Sequence, residues 1–406
     1  MQNNYRKVTM KYLYISTLSS ERLIRQLHEH TGINPGYAVQ KFGRLLVKGL
    51  VANGLDVNTL SAIPVIPKSC ERRIWTEKSE EENGVRYNYV PFLNYPLLRQ
   101  IFLSIYTFFY VLFWGMKDRK NRCIICDVLN VSICMSSLSA ARIIGLKRLG
   151  VVTDLPSLMM RGGGERTIYQ LLADWVNNAY LSCFTHYVFL TEQMNRIANK
   201  HCKPYIVMEG LADVGMAAKN VMEIKKQKPQ VLMYAGGLHE RYGLKMLTEA
   251  FTQLDNSNWN LVIYGSGPFA KDLVKYTEKN ERIIYKGVAS NEDVVEAELK
   301  ASLLVNPRPS REEFTRYSFP SKNIEYMVSG TPLLTTPLSG MPVEYYDYVY
   351  LFAEETIEGY KATLETILNL SSVELYDKGK KARNFILTKK NNVVQAGRII
   401  DFMNSN

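Results

Sequence analysis

Two glycine-containing loops in the second half of the chain have the composition of anion-binding loops. The first is YAGGLHERYG, in which Gly236 and Gly237 separate a strand-like run from a helix-like one. Paired glycines let backbone N–H groups approach an anion closely, and the N-terminus of the next helix adds partial positive charge. The second is YGSGP, in which Gly265 directly follows a strand-like run. Each loop by itself is weak evidence, because tight turns use the same residues.

A third segment, NPRPSREEFTRYSFPSKNIEYMVSGTPLL, is more specific. Pro320 suits the first turn of a helix, so the first free amides would belong to Ser321 and Lys322, where a diphosphate can bind. Glu325 shares their helical face about one turn, roughly 5–6 Å, deeper, where a carboxylate can accept hydrogen bonds from ribose hydroxyls. The alternative is an ordinary surface ion pair between Lys322 and Glu325.

The elements that must position these loops alternate along the whole chain. Strand-like runs separated by helix-like segments predict parallel, doubly wound α/β sheets. The second half repeats the plan of the first, and the polar stretch 219–230 between them predicts a linker. Two such halves predict two Rossmann-like domains facing a cleft. Ligands of these sheets bind beyond the carboxyl ends of the strands, where the three segments lie.

The motifs GGLHERYG, YGSGP and FPSKNIEYMVSGTP, in this order and spacing, resemble the family-4 retaining glycosyltransferases of the GT-B fold. The subgroup with FPSK-type motifs acts in polysaccharide and glycoconjugate assembly. The resemblance is specific over about 230–340 and weaker through QKFGRLLVKGL, VVTDLP and VFLTEQM in the first half. It implies an acceptor-side domain over 1–218, a nucleotide-sugar-binding domain over 219–385, and a C-terminal helix at 386–406 that crosses back to the first domain.

The resemblance also implies roles for individual residues. Glu325 matches the last glutamate of the family's E-x7-E signature, which holds the ribose of the donor. Ser321 and Lys322 occupy the positions whose amides meet the diphosphate. Gly237 falls in the glycine-rich turn, and Val288 falls near the nucleobase.

Two positions depart from the family pattern. The first glutamate of E-x7-E, which contacts the transferred sugar in relatives, is Tyr317 here, and the lysine before the glycine of the first loop is Tyr242. Glu313 could replace the sugar contact. Three basic residues could supply the lost positive charge, since cations suit a diphosphate: Arg241, Lys322 and Arg308. These departures leave open a second class of function, a non-catalytic nucleotide-sugar-binding subunit.

The predicted catalytic residues are Asp154, Arg241 and Lys322. Asp154 in TDLP follows a strand and is expected to face the cleft, where relatives place a sugar- or acceptor-contacting residue; alternatively it only caps the turn before Pro156. The sequence contains no D-x-D, so we expect no metal, and side chains and helix ends must stabilise the leaving diphosphate. The resemblance implies retention, with the departing phosphate helping to deprotonate the acceptor. No cofactor is predicted beyond the nucleoside-diphosphate sugar itself.

The net charge of +11 favours an anionic partner. Nucleic acid is not predicted, because zinc-finger spacing, RNA-binding aromatic signatures and a basic tail are missing from the sequence. A dinucleotide-dependent oxidoreductase is a distant third class, because no G-x-G-x-x-G opens a helix near the N-terminus. The expected partners are therefore a nucleotide-sugar donor and a glycan or lipid-linked acceptor.

The longest apolar segment runs from Ile101 to Trp114 and, at 14 residues, is shorter than the roughly 20 needed to span a bilayer. One interpretation is a buried helix packed against the first sheet. The other is an interfacial helix, followed by basic residues that contact anionic headgroups: Lys117, Arg119, Lys120 and Arg122. The second interpretation predicts peripheral membrane contact.

The six cysteines are too few and too scattered for a disulfide framework. Cys123 and Cys126 form a CxxC within an apolar run, which favours an inert buried strand over a redox or metal site. The N-terminal stretch has no long apolar segment typical of a signal peptide. We therefore expect a cytoplasmic protein, at the inner face of the membrane if the apolar helix is interfacial.

Overall fold

The computed structural model describes residues 10–31, 37–65, 70–155, 176–218 and 224–405. The chain forms two compact units, which are described separately below. Unit 1 comprises Met1–Leu211 together with Asn392–Asn406, and unit 2 comprises Ala212–Asn391. The C-terminal tail therefore belongs to the first unit, as expected for a helix that returns to it.

The strands and helices of the described residues have the following bounds. The strands are β1 Lys11–Ser16, β2 Asp56–Ser61, β3 Ile74–Trp75, β4 Glu80–Glu82, β5 Val85–Tyr89, β6 Phe92–Leu93, β7 Arg122–Asp127, β8 Lys147–Val152, β9 His186–Phe189, β10 Tyr205–Val207, β11 Gln230–Ala235, β12 Trp259–Tyr264, β13 Ile283–Gly287, β14 Leu303–Asn306, β15 Leu333–Thr335 and β16 Tyr350–Leu351. The α-helices are α1 Glu21–Thr31, α2 Tyr37–Ala52, α3 Leu98–Met116, α4 Val131–Ile143, α5 Glu192–Ala198, α6 Leu244–Thr252, α7 Ala270–Lys279, α8 Asn291–Lys300, α9 Ser321–Ser329, α10 Ile357–Leu368, α11 Ser372–Lys389 and α12 Asn392–Ser405, and residues 176–181 are also helical.

Unit 1 is built on an eight-stranded sheet with the order β10-β9-β8-β7-β1-β2-β5-β4. Every pairing in it is parallel except that between β4 and β5 at one edge. The central strand β7 is buried along its whole length, which suits a parallel sheet covered on both faces. Strands β3 and β6 form a separate antiparallel pair.

The C-terminal helix α12 packs against α2 within unit 1. A side chain at Gly49 would place its Cβ 2.1 Å from the Asn392 carbonyl oxygen, so only glycine allows this close approach. The Asn392 side-chain amide donates a hydrogen bond to the Leu45 carbonyl, 3.1 Å away. The returning C-terminal helix expected for a GT-B chain is therefore confirmed.

Unit 2 contains a six-stranded, entirely parallel sheet with the order β13-β12-β11-β14-β15-β16. All six strand-like runs of the second half form strands of this sheet. Alternate residues of β11 enter two different apolar clusters, Leu232 with α6 and α10, and Met233 with α9 and α11. Helices thus cover both faces of the sheet, as the doubly wound prediction requires.

Some sequence-based boundaries differ from the structure or cannot be compared with it. The helix α4 begins at Val131, although the sequence suggested a helix around Ser137–Leu146. Residues 32–36 of the predicted loop TGINPGY and residues 167–175 of the predicted helix near 167–184 lie outside the described residues, as do residues 219–223 of the linker.

The interpretation of the apolar segment as a buried helix is wrong. One narrow stripe of α3 is buried, consisting of Leu103, Thr107, Val111 and Gly115, and α3 packs against α4. The remaining circumference is largely exposed, with Phe113 at 60%. Residues spaced by four cover only one side of a helix, so a helix that is apolar all round cannot be buried by a single neighbour. Among the described helices, α3 is the one whose length and composition would allow it to cross a membrane.

The CxxC pair lies within the sheet of unit 1. Cys123 and Cys126 are both fully buried on β7, and burial raises the pKa of the Cys123 thiol to about 12. All six cysteines of the chain are unpaired. The prediction of an inert buried strand is confirmed, because a thiol that stays protonated is a poor nucleophile and a poor metal ligand.

Candidate functional site

The loops after three neighbouring strands of unit 2 are hydrogen bonded to one another at the carboxyl edge of the sheet. The Gly236 amide donates to the Tyr264 carbonyl over 3.1 Å, which joins the loops after β11 and β12. The Gly265 amide donates to the Gly287 carbonyl over 2.8 Å, which joins the loops after β12 and β13. The first two predicted glycine loops therefore form one continuous surface.

Two glycines of these loops are required by close backbone packing. Gly265 has a φ of 130°, and a Cβ there would lie 1.8 Å from the Gly236 carbonyl oxygen. Gly243 has a φ of 82°, and a Cβ there would lie 1.9 Å from the Pro307 carbonyl oxygen. At Gly237, by contrast, an added Cβ would meet its nearest neighbours at 3.4 Å, an ordinary contact. Close packing therefore explains why positions 243 and 265 are glycine, but it does not explain the glycine at position 237.

Two arginines lie around a pair of aromatic rings beside these loops. The guanidinium of Arg308 is 4.7 Å from the ring centre of Tyr242 and 5.5 Å from that of Phe314. The guanidinium of Arg241 is 5.5 Å and 5.4 Å from the same two rings. Cation–π contacts of this kind position a guanidinium without neutralising it.

Neither of these arginines has an ion pair within the described part of the chain. Arg308 is largely buried, and its Nε has no hydrogen-bond partner among the described residues. Burial lowers the pKa of Arg308, and the charge of Arg241 lowers it further. A buried cation without a counter-ion is unfavourable. The arrangement is therefore suited to binding an anion.

The helix α9 begins one residue later than the sequence suggested. Pro320 is the N-cap, with extended backbone angles, and Ser321 is the first helical residue. The Asn323 amide donates to the Pro320 carbonyl over 2.9 Å. The amides of Ser321 and Lys322 lie in the first turn, so the predicted position for an anion at this helix end is retained.

Two buried polar side chains anchor α9 to the sheet. The side chain of Asn323 accepts a hydrogen bond from Asn306 at the end of β14, over 2.6 Å. The hydroxyl of Tyr326 donates to the Ala235 carbonyl over 3.0 Å and accepts from the Ala235 amide over 2.8 Å. The first turn of α9 is thereby held at the carboxyl ends of β11 and β14. Sequence reasoning missed Asn323 and Tyr326, although their spacing of three on an otherwise apolar helical face was a signal.

The ion pair between Lys322 and Glu325 is formed, with 2.9 Å between Nζ and Oε2. The ammonium also lies 3.8 Å from Glu298, a carboxylate of α8 whose side chain is only 4% exposed. Burial alone would lower the pKa of Lys322, but the two carboxylates outweigh it and the pKa is raised. Lys322 therefore has counter-ions that the two arginines do not have. No sequence signal pointed to Glu298, which lies in a different helix.

The other predicted donor-site residues surround this surface. Glu313 and Tyr317 begin and end a short 3-10 helix that also contains Phe314; Glu313 is exposed and Tyr317 is partly buried. Val288 follows β13 and is 74% exposed. The structure thus gathers the glycine loops, both arginines and the start of α9 at one edge of the unit 2 sheet.

Asp154 belongs to unit 1, two residues after β8, whereas Arg241 and Lys322 belong to unit 2. The neighbouring strand β7 ends at Asp127, which accepts hydrogen bonds from the Leu129 amide and the Asn130 side chain. Burial raises the pKa of Asp154 to about 6. Burial, and to a smaller extent the charge of Asp154, raises the pKa of Asp127 to about 6 as well. Sequence reasoning missed Asp127, although it follows a buried strand as Asp154 does.

The described residues contain no group of three or more histidine, cysteine, aspartate or glutamate side chains that could hold a metal ion. Within the described residues of unit 2, the positive charge near the glycine loops comes instead from guanidiniums and a helix N-terminus. These groups can stabilise a diphosphate by hydrogen bonds and charge.

The fold and the C-terminal half of the chain match known glycosyltransferases. Residues 218–386 match the family described as glycosyl transferases group 1. No curated protein sequence shows a significant match. Similar solved structures include HepE of Anabaena in complex with UDP, with a TM-score of 0.64, 13% identity, and coverage of 98% of this chain and 100% of that chain. Sucrose-phosphate synthase of Thermosynechococcus elongatus has a TM-score of 0.62 at 15% identity, covering 97% and 99% of the two chains. The lipopolysaccharide outer core galactosyltransferase WaaB has a TM-score of 0.61 at 14% identity, covering 98% and 99%.

The chain therefore has the GT-B fold, with two α/β domains built on mainly parallel sheets. The residues that match the glycosyl transferases group 1 family lie within unit 2, and they include the glycine loops, both arginines and α9.

Proposed function

We propose that the protein is a metal-independent, retaining glycosyltransferase. It moves a hexose-type sugar from a nucleoside-diphosphate sugar to a glycan or lipid-linked acceptor. The observation that carries this proposal is the pair Arg241 and Arg308, two guanidiniums without a carboxylate partner among the described residues, beside glycine loops in a group 1 glycosyl transferase domain. A bound diphosphate would neutralise them, and this would remove the cost of burying Arg308.

Different residues of unit 2 bind different parts of the donor. The diphosphate lies against Arg308, Arg241 and the first amides of α9. No packing contact requires glycine at position 237, so we infer that Gly237 serves to let the diphosphate approach the backbone closely. Glu325 accepts hydrogen bonds from the ribose hydroxyls. To bind the ribose, Glu325 gives up its ion pair with Lys322. Lys322 then still has Glu298 as a counter-ion.

In the transfer step the bond between the anomeric carbon and the diphosphate oxygen breaks, and a bond from the acceptor oxygen to the same carbon forms. The acceptor proton passes to an oxygen of the departing diphosphate, on the same face of the sugar. The two arginines and Lys322 stabilise the negative charge that grows on the leaving group. In unit 1, Asp154 is our candidate for contact with the sugar or the acceptor.

Incubation of the purified protein with nucleotide sugars tests this proposal, because glycosyltransferases hydrolyse their donors slowly when no acceptor is present. We expect turnover that is lost in the Glu325→Ala variant. Tight nucleotide binding without turnover in the parent protein would instead support the non-catalytic subunit, which the replacement of the signature glutamate by Tyr317 also favours. A protein that shows no nucleotide binding and no turnover would refute both the enzyme and the non-catalytic subunit.

The nucleotide base is best identified by thermal shift with UDP, GDP, dTDP and ADP, since a ligand that binds only the folded state raises the melting temperature. We expect the largest shift with UDP, which is the nucleotide bound to the similar protein HepE. Equal shifts with all four would mean that the base is not recognised and only the diphosphate is.

A further inference from the structure

One side of unit 1 carries an extended apolar surface that the domain's own fold leaves uncovered. It consists of the outer face of α3 and the adjoining β3–β6 pair, and we refer to it as the apolar face. Together with Tyr95 and Leu97, which directly precede α3, it carries 11 of the 21 exposed large hydrophobic side chains of the described residues, the most exposed being Leu97, Ile74, Phe113, Ile105, Met116 and Ile101. Contiguous apolar surface of this extent marks an interaction site.

The apolar face contains a groove between α3 and the β3–β6 pair. Its volume is about 830 Å³, within the range of pockets that hold organic ligands. Trp75 and Phe92, stacked with 6.3 Å between ring centres, form its floor, and Phe109 and Phe113 of α3 line the side. From Ile101 to Phe113 the lining runs along about 18 Å of helix, which suits a long hydrocarbon chain.

The topology of unit 1 decides how α3 can meet a membrane. The strand β5 before α3 and the strand β7 after it belong to the same eight-stranded sheet. Both ends of α3 must therefore lie on the same side of any bilayer, so the helix cannot span it, although its length and composition would allow this. The stripe of α3 that is buried against α4 also fixes the orientation of α3, so that its exposed apolar side faces away from the domain.

Charge at the margins of the apolar face identifies the occupant. The helix itself has no charged residue from Gln100 to Met116, and exposed Lys117, Arg119 and Lys120 follow at its C-terminal end. At the other margin the guanidinium of Arg72, which also pairs with Glu77 over 3.0 Å, lies 4.4 Å from the Trp75 ring. That of Arg99, which donates to the Ile63 carbonyl, lies 4.9 Å from the Phe92 ring. A second protein would need acidic groups around an apolar patch, whereas an anionic bilayer offers hydrocarbon bordered by negative headgroups.

We propose that the apolar face is a membrane-docking site, on which unit 1 lies on an anionic lipid bilayer. The helix α3 lies in the plane of the interface with its outer face among the acyl chains, and the groove takes one lipid chain. The basic residues at both margins contact phosphate headgroups. This inference does not depend on the donor site in unit 2, which binds nucleotide whether or not the protein is attached to lipid.

Flotation of the full chain with vesicles tests the proposal directly. We expect the protein to float with vesicles that contain phosphatidylglycerol, much less with pure phosphatidylcholine, and to dissociate as salt is raised. The double variant Ile105→Glu/Phe109→Glu should reduce the bound fraction at least tenfold, and Lys117→Glu/Arg119→Glu should reduce it severalfold. The matched controls are Val343→Glu, at an exposed apolar site in unit 2, and Arg196→Glu/Lys200→Glu on the surface of unit 1.

Occupation of the groove has a separate readout. Lipids with brominated acyl chains should quench the fluorescence of the parent protein, and the Trp75→Phe/Trp114→Phe variant should lose most of this quenching. Binding of UDP by thermal shift, unchanged in all these variants, shows that they are folded and separates this proposal from that on the donor site. A parent protein that stays unbound at low salt overturns the proposal. So does a lipid-free dimer that Ile105→Glu/Phe109→Glu dissociates, because the apolar face would then be an interface between copies.

Discussion

Arg308 is largely buried beside Tyr242, with no carboxylate partner among the described residues. Replacing it with methionine, in Arg308→Met, removes an uncompensated charge and should leave the free energy of unfolding unchanged or higher. The same change should weaken nucleoside-diphosphate binding by about 1.5–3 kcal/mol, roughly ten- to a hundredfold. Calorimetry and thermal melts measure both quantities, with the exposed Arg196→Met as control. A variant that is destabilised and binds normally would show a structural role.

Substitutions of Glu325 and Lys322 should have different effects on ligand affinity. Glu325→Gln should weaken nucleoside and nucleoside diphosphate alike, by about 1.5–3 kcal/mol, because it removes a charged acceptor of ribose hydrogen bonds. Lys322→Ala should weaken only ligands with phosphates. Titrations with nucleoside, monophosphate and diphosphate give the comparison. If both variants bind every ligand like the parent, α9 is not part of the donor site.

The contact with Glu298 complicates Lys322→Ala, because that variant leaves a buried carboxylate without its cation. The melting temperature of Lys322→Ala should therefore fall, and adding Glu298→Gln should restore part of it without restoring diphosphate binding. This double variant separates loss of stability from loss of ligand contact.

Asp127 and Asp154 predict a pH dependence of the stability of unit 1. Burial raises both pKa values to about 6, above the 3.8 of a free aspartate, so the folded state binds these protons more tightly than the unfolded state. Their contribution to the free energy of unfolding is complete below about pH 4 and is lost as the pH rises through 6, at about 1.4 kcal/mol per unit for each group. Urea midpoints from pH 4 to 8 should show this fall, and Asp127→Asn should reduce it. The exposed Asp401→Asn should leave it as in the parent.

At the scale of elements, the glycine loops of unit 2 allow packing and ligand contact to be told apart. Gly265→Ala would place a Cβ 1.8 Å from a backbone oxygen, so it should lower the melting temperature strongly. Gly237→Ala has room for the methyl group in the ligand-free protein, so it should melt like the parent and lose affinity for UDP. Thermal melts with and without UDP measure both effects. Parent-like UDP affinity in Gly237→Ala would mean that the ligand does not approach this turn.

The ligand-facing residues of the donor site are positioned by the helix α9 as a whole. Its exposed side carries Ser321, Lys322 and Glu325, while Asn323 and Tyr326 on the opposite side bind the ends of two strands. These two buried side chains are hydrogen bonded, Asn323 to the side chain of Asn306 and Tyr326 to the backbone of Ala235, so they fix where the helix begins. The ligand-facing residues depend on that position.

At the scale of the whole molecule we expect activity without a metal ion. The sequence has no D-x-D, and the described residues show no cluster of metal-ligating side chains. Two arginines and the start of α9 are available to stabilise the leaving diphosphate instead. Donor turnover should persist in EDTA at the rate seen without it. Loss of activity with chelator that magnesium or manganese restores would contradict this.

The sequence by itself determined the class of the fold and most of the donor-site candidates. Short β-rich runs predicted all six strands of the unit 2 sheet, because a parallel sheet covered on both faces needs continuous apolar runs. Glycine and proline at loop positions identified the three segments, since backbone conformation limits which residues can occupy such turns. Glu325 and Lys322 were found by helical spacing, which is a local property.

Only the tertiary structure decided which charges have partners. Arg241, Arg308 and Lys322 were equal candidates in the sequence. In the structure Lys322 pairs with Glu325 and with Glu298 from another helix, whereas no described carboxylate reaches the arginines. The same holds for α3. Its composition allowed a buried or an exposed helix, and packing against α4 and β6 left most of it uncovered. Asp127 and Asp154 likewise lie at the ends of adjacent strands only because β7 pairs with β8. Burial and pairing depend on residues distant in the chain, so no local pattern can specify them.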